Sequence, residues 1–156
     1  MFNFMKREID KNIYAPVVGE SIPLIEVPDK VFSTKMLGDG LAFAFEGDTV
    51  YSPCDGEIIF IAKTKHAIGI KADNGLELLI HVGLDTVSLN GKGIDVLIKE
   101  NTKIRAGMPL IKLDREFMEE NSINLIMPLI ITSPTKEVSI EKIRKVNLKS
   151  IIFKIK

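Results

Sequence analysis

Residues 67–82 read AIGIKADNGLELLIHV. Two apolar runs, Ala67 to Ala72 and Leu76 to Val82, flank Asp73-Asn74-Gly75. An Asn-Gly pair between apolar runs is the strongest short-range hairpin signal. The tight turn that matches strand twist needs left-handed backbone angles, which these two residues accept. In the second run Leu76, Leu78, Ile80 and Val82 share one face of an extended strand, and Glu77, Leu79 and His81 share the other. The continuous aliphatic side is the core side, so His81 points outward. Leu79 beside it is then an outward apolar residue, which marks a contact surface.

The same texture extends along the chain. There are 23 Ile and 10 Val, β-branched side chains that pack well on a pleated surface, and 11 Gly and 7 Pro spread at short intervals. Short strands cut by frequent turns point to an all-β fold, an antiparallel β-sandwich or barrel with few short helices. Leu41, Phe43 and Phe45 alternate with Ala42 and Ala44 before the turn Glu46-Gly47-Asp48. Gly56 opens the run Glu57 to Ala62. Pro109 to Leu113, Val138 to Ile140 and Ile151 to Ile155 are further strand candidates. One helix is well signalled: Asp114 caps Arg115 to Glu120, with Phe117 and Met118 as its apolar contacts. Glu141 to Lys145 is a second, short and basic helix candidate. The hexapeptide Ala15-Pro16-Val17-Val18-Gly19-Glu20 returns 37 residues later as Ser52-Pro53-Cys54-Asp55-Gly56-Glu57. Two copies of one strand–turn–strand unit fit a duplicated β architecture.

Composition bounds the function. The chain has 156 residues, 46% apolar and 27% charged, the balance of one ordinary globular domain. Residues 1–11 read as a tail and 12–156 as the domain. Lys plus Arg equals Asp plus Glu at 21 each, so no overall field gathers nucleic acid or anionic lipid. Residues 136–156 hold seven basic and two acidic side chains, but only Phe153 is interleaved as an aromatic, and they read as a solvated edge. The longest apolar run, Leu125 to Ile131, is far too short to span a bilayer and contains Pro128. Phe2 to Met5 is followed, not preceded, by Lys6 and Arg7, unlike a secretory signal. One cysteine, Cys54, allows no internal disulfide and suits a reducing cytoplasm.

Only two histidines are present, His66 and His81. If Thr64-Lys65-His66 is extended, Thr64, His66 and Ile68 share a face, and the Thr64 hydroxyl sets which His66 nitrogen carries the proton. A hairpin turning at residues 73–75 sets the two histidines nearly opposite, with β-carbons roughly 4.5–5.5 Å apart. Two facing imidazoles admit a zinc site with Asp85 or Glu77 as third ligand, although no His-x-x-x-His or cysteine pair accompanies them. A hydrolytic triad has no Gly-x-Ser-x-Gly elbow, and Cys54 lies in a Pro-Cys-Asp-Gly turn. No Gly-x-x-x-x-Gly-Lys-Ser/Thr loop is present to hold a nucleotide; Gly38-Asp39-Gly40 and Gly91-Lys92-Gly93 read as turns. The remaining chemistry makes one histidine the nucleophile. A neutral imidazole attacks phosphorus while its other nitrogen keeps its proton, and the second histidine donates a hydrogen bond to the phosphoryl oxygens.

The stretch GLELLIHVGLDTVSL at 75–89 resembles the active-site signature of the glucose-class enzyme IIA domains of the bacterial sugar phosphotransferase system. The resemblance continues in IYAPVVGE at 13–20, VPDKVFSTKMLGDG at 27–40, SPCDGEI at 52–58, TKHA at 64–67 and MPLIITS at 127–133, and covers about residues 12–156. It implies an antiparallel β-sandwich of duplicated, hybrid type. It also implies that His81 takes a phosphoryl group on Nε2 from the phosphocarrier protein HPr and passes it to a cysteine of the IIB domain of a sugar permease. By the same resemblance His66 hydrogen-bonds the phosphoryl group, Thr64 orients His66, and the Gly83 carbonyl holds the other nitrogen of His81. Asp29 and Asp85 match acidic rim residues, and the apolar partner surface maps onto Val31, Phe32, Met36, Leu37, Ile68, Leu79 and Val87. No metal, cofactor or nucleic acid is implied, and contact with a membrane runs only through the permease. Lys63 and Lys65 depart from the acidic or amide residues usual beside TKHA. A zinc hydrolase on a related sandwich is the rival enzyme. A regulatory module that binds transporters or kinases through the apolar rim is the rival non-enzyme. A swinging-arm carrier lacks its Met-Lys-Met turn.

Overall fold

The structure is a computed structural model and describes residues 8–156. The tail segment Phe2 to Met5 lies outside the described residues. The strands are β1 (Asn12–Tyr14), β2 (Gly19–Pro23), β3 (Asp39–Phe45), β4 (Thr49–Tyr51), β5 (Gly56–Ile61), β6 (Ala67–Ala72), β7 (Glu77–His81), β8 (Ile94–Val96), β9 (Lys103–Ile104), β10 (Pro109–Leu113), β11 (Met127–Ile131), β12 (Val138–Ile140), β13 (Lys145–Val146) and β14 (Ile151–Ile155). The helices are α1 (Lys30–Ser33) and α2 (Arg115–Glu120). Among the described residues no helix is long and apolar enough to cross a membrane.

The strands form one large sheet, ordered β13-β2-β3-β11-β7-β6-β5-β9, and two small ones, β1-β14-β12 and β4-β10-β8, all antiparallel. Between them lies a core that includes Phe43, Ile58, Ile70, Leu78, Ile80, Leu110, Leu129 and Phe153. The sheet orders reveal a pseudo-twofold axis. It exchanges β13-β2-β3-β11 with β9-β5-β6-β7, and one small sheet with the other. The 37-residue sequence repeat lies on this axis. The Tyr14 N–H donates to Pro53 O and the Tyr51 N–H to Pro16 O, both at 2.8 Å. Gly19 and Gly56 fill the same place: a β-carbon on either would stand 2.2 or 2.3 Å from a carbonyl oxygen of the neighbouring strand. The duplicated β-sandwich expected from the sequence is the fold observed.

One local expectation needs correction, and two elements were not anticipated. Residues 141–145 form no helix, because Lys145 and Val146 pair with Glu20 and Gly19 as β13. Residues 125–131 were read only as too short for a membrane, yet β11 is a central strand buried on every residue. It tolerates Pro128 because pairing with β7 runs only from Leu129 to Ile131, so no ladder donor is missing there. α1 was not expected at all. Asp29 caps it, accepting the Val31 N–H at 2.9 Å.

α1 also breaks the internal symmetry. The β2–β3 connection, residues 24–38, is long and folds over the outer face of its half of the sheet. There Leu24, Val27 and Phe32 bury Ala42 and Ile130. The matching β5–β6 connection is only residues 62–66. Phe60 and Ile59 on that half stay exposed, and Leu79 stays half-buried.

Candidate active site

The hairpin turns where Asn-Gly placed it, but with left-handed backbone at Gly75 alone and not at Asn74. Gly75 has φ +98°, its N–H donates to Ala72 O at 2.9 Å, and the Ala72 N–H donates to Leu76 O at 2.8 Å. In β7 Leu78 and Ile80 are buried, while Glu77, Leu79 and His81 are only partly so. His81 therefore ends its strand on the outer face.

The register pairs Ala67, not His66, with His81. Had the strand continued, His66 would stand opposite Val82 and turn toward the core, since successive side chains alternate. Residues 62–66 are instead a turn, with Lys65 at φ +59° and its N–H bonded to Ala62 O at 2.8 Å. This corrects the expectation of an extended Thr64-Lys65-His66. The turn resets the alternation and brings His66 out beside its partner: the imidazole centroids are 5.1 Å apart at 72°. Phe32 meets the other side of His81, ring centroids 4.9 Å apart at 64°.

Each ring is held at Nδ1 by a residue two positions away. His81 Nδ1 lies 2.8 Å from Gly83 O. A carbonyl only accepts, so this nitrogen carries the proton and Nε2 keeps its lone pair. The carbonyl is aimed by strain that only glycine meets cheaply. Gly83 has φ +69°, and a β-carbon there would lie 2.8 Å from Thr86 Cγ2 and 2.9 Å from Asn124 O. The buried Thr86 hydroxyl donates to Val82 O, and the Leu84 N–H donates to Asn124 O, pinning both flanks. His66 Nδ1 is hydrogen-bonded to the Thr64 hydroxyl. Neither Nε2 has a hydrogen-bond partner among the described residues.

Burial holds the proton affinity of both imidazoles below the ordinary histidine value. At His81 the neighbouring His66 adds to this. The Gly83 hydrogen bond and the charges of Asp29 and Asp85 oppose it without reversing it. Both rings are thus neutral at pH 7, the form a nucleophile needs. Cys54 is the opposite case. It is buried, and its thiol is pushed up to about 12 by desolvation and by the charges of Asp55 and Asp73, so it holds no thiolate to attack with. Among the described residues no three His, Cys, Asp or Glu side chains are grouped to hold a metal ion. Glu77, considered as a third ligand, pairs with Lys71 at 3.7 Å.

The expected partner surface divides. Val31, Met36, Leu37 and Val87 are exposed, Met36 at 73% and Val87 at 54%. Leu79 is half-buried. Phe32 and Ile68 are not surface residues, at 3% and 0% exposure. Phe32 supports His81 from within the small cluster, and Ile68 pairs with Ile80 on the core side of β6. The sequence reading missed Ile59 and Phe60. An irregularity in β5 between Ile58 and Phe60 turns both outward, and Phe60 lies opposite Gly69, which lies opposite Leu79. They extend the apolar face away from the histidines, and a continuous apolar run carried no mark of it.

The pseudo-axis shows that this chemistry occurs once. The registers place Ile130 where the other half has His81, and Asp39 where it has His66.

The chain is 44% identical over 144 residues to the "PTS system glucose-specific EIIA component" of Staphylococcus epidermidis, covering 90% of this chain and 87% of that protein. It is 51% identical over 121 residues to the "PTS system glucoside-specific EIICBA component" of Staphylococcus carnosus, covering 78% of this chain but only 18% of that longer protein. The solved structure of glucose permease IIA from Mycoplasma capricolum superposes with a TM-score of 0.84 at 33% identity, covering 98% of both chains. Residues 11–137 match the family model of the phosphoenolpyruvate-dependent sugar phosphotransferase system, EIIA 1. With that match across most of its length, the chain belongs to the EIIA 1 family of this phosphotransferase system.

Proposed function

We propose that this chain is a phosphoryl carrier that accepts a phosphoryl group on His81 Nε2 from phosphorylated HPr and donates it to the IIB domain of a sugar permease in the cytoplasm. The observation that carries this reading is the neutral imidazole pair, each ring held at Nδ1 with Nε2 free. The lone pair of His81 Nε2 forms the new N–P bond while the donor's N–P bond breaks and the donor nitrogen keeps its electron pair. The transferring group passes through a loose state with charge spread over its oxygens, so positioning and hydrogen bonds supply most of the rate. With the Thr64 hydroxyl donating to His66 Nδ1, the His66 Nε2–H is the donor for those oxygens. Asp29, Val31, Met36, Leu37, Leu79, Asp85 and Val87 are the residues that meet the partner proteins in this reading. The test is incubation with phosphoenolpyruvate, enzyme I and HPr, followed by mapping of acid-labile phosphate. Label at His81 in the wild type and none in His81→Ala is the expected result. Label at another residue, or none, overturns the reading.

A further inference from the structure

The turn that carries His66 holds its cation in a demanding geometry. Lys65 takes the left-handed backbone region, which penalises any residue with a β-carbon. Its aliphatic stem rests on Gly91, in the loop after residues 86–89: a β-carbon on Gly91 would stand 3.2 Å from Lys65 Cδ, 3.6 Å from Cγ and 3.7 Å from Cε. Backbone and stem together lay this side chain along the exposed rim, so its charged end has little freedom to lose on docking. Four other cations have carboxylate partners among the described residues: Lys35 with Asp39, Lys71 with Glu77, Arg144 with Glu20 and Lys154 with Glu141. Lys65 has none there, nor has its exposed neighbour Lys63. The carboxylates acting on His81 are those of Asp29 and Asp85. Carboxylates thus act on His81, while the turn of His66 carries two exposed cations, Lys63 and Lys65.

We infer that Lys65 is a specificity-determining contact, whose ammonium pairs with a carboxylate on the docking face of phosphorylated HPr. The inference rests on the carrier reading. His66 supplies the hydrogen bond to the phosphoryl oxygens, so Lys65, held at the outer rim, meets the protein surface that delivers them. A held, unpaired cation at a rim acts mainly on the rate of encounter and on the choice of partner.

The experiment measures second-order transfer from phosphorylated HPr to the full chain by rapid quench, at low and high ionic strength. The proteins are wild type, Lys65→Met, which keeps the stem, and Lys65→Glu. Lys65→Glu is expected to slow transfer roughly tenfold at low ionic strength, with Lys65→Met between, and the differences are expected to shrink at high ionic strength. The hydrolysis rate of the isolated phosphorylated chains is expected to be equal in all three. Equal transfer rates for wild type and Lys65→Glu overturn the inference. Altered hydrolysis rates overturn it too, because Lys65 then acts on the phosphoryl group itself. A wild type that takes no acid-labile phosphate overturns the carrier reading; a phosphorylated wild type with an indifferent Lys65→Glu overturns only the role of Lys65.

Discussion

Gly83→Ala tests the link between backbone strain and chemistry. A side chain at φ +69° costs roughly 1–2 kcal/mol relative to glycine. Its methyl group would stand 2.8 Å from Thr86 Cγ2 and 2.9 Å from Asn124 O. Neither neighbour gives easily: Thr86 is buried and hydrogen-bonded to Val82 O, and Asn124 O accepts the Leu84 N–H at 2.8 Å. Forcing a methyl into a filled site adds about 1–3 kcal/mol. The stiffer unfolded chain returns about 0.4–1 kcal/mol. The expected loss is about 1–4.6 kcal/mol, which a domain of ordinary stability survives. The cheaper relief is to rotate the 83 carbonyl away from His81. Losing that hydrogen bond, worth about 1 kcal/mol, shifts the tautomer balance about fivefold toward a protonated Nε2 that cannot attack phosphorus. A urea melt reads the first effect. Nitrogen-15 spectra of His81 and single-turnover phosphorylation read the second. A folded Gly83→Ala chain with wild-type nitrogen shifts and wild-type rate would refute the assignment of tautomer control to this carbonyl.

Three further outcomes are expected. His66→Gln should leave His81 able to hold phosphate but slow its passage to a IIB domain by about a hundredfold or somewhat less, since Gln keeps one donor, and Thr64→Val should show a milder defect; equal donation rates from pre-phosphorylated forms would remove His66 from the transition state. Val31→Asp should weaken transfer with little change in melting, whereas Phe32→Ala should cost about 3–5 kcal/mol, because Val31 is exposed and Phe32 is buried under His81; matched stability losses would contradict this division. Burial lowers the pKa of both histidines from 6.5, so the folded chain binds fewer protons than the unfolded chain just below that value. Stability is then full above pH 6.5 and falls as the pH drops through the lowered pKa values. Imidazole titrations with midpoints at or above 6.5 would contradict it.

What the sequence determined by itself is what short-range chemistry controls. Asn74-Gly75 dictates a tight turn, and strict alternation after it dictates which side of β7 faces the core, so the outward placement of His81 was legible without coordinates. The same holds for β10, β12, β14 and α2, whose observed limits equal those expected, and for the repeat that became the pseudo-axis. Tertiary structure decided where a local rule met a competing one. Parity along β6 would have sent His66 inward, but a left-handed Lys65 resets it, and nothing in Thr64-Lys65-His66 announces a lysine at positive φ. Pro128 argues against a central strand until the neighbouring ladder is seen to stop at Leu129. Residues 141–145 satisfy a weak helical pattern yet form no helix, and their last residue, Lys145, pairs with Glu20 as the start of β13. Phe32 and Ile68 fit a contact surface by type, but only the packing of α1 on β3 and β11 and the register of β6 on β7 place them inside. The duplicated strands are symmetric in the backbone, and the chemistry is not. One connection is long enough to cover its half of the sheet, and the other is short, so the histidine pair and its apolar rim remain open on that side alone.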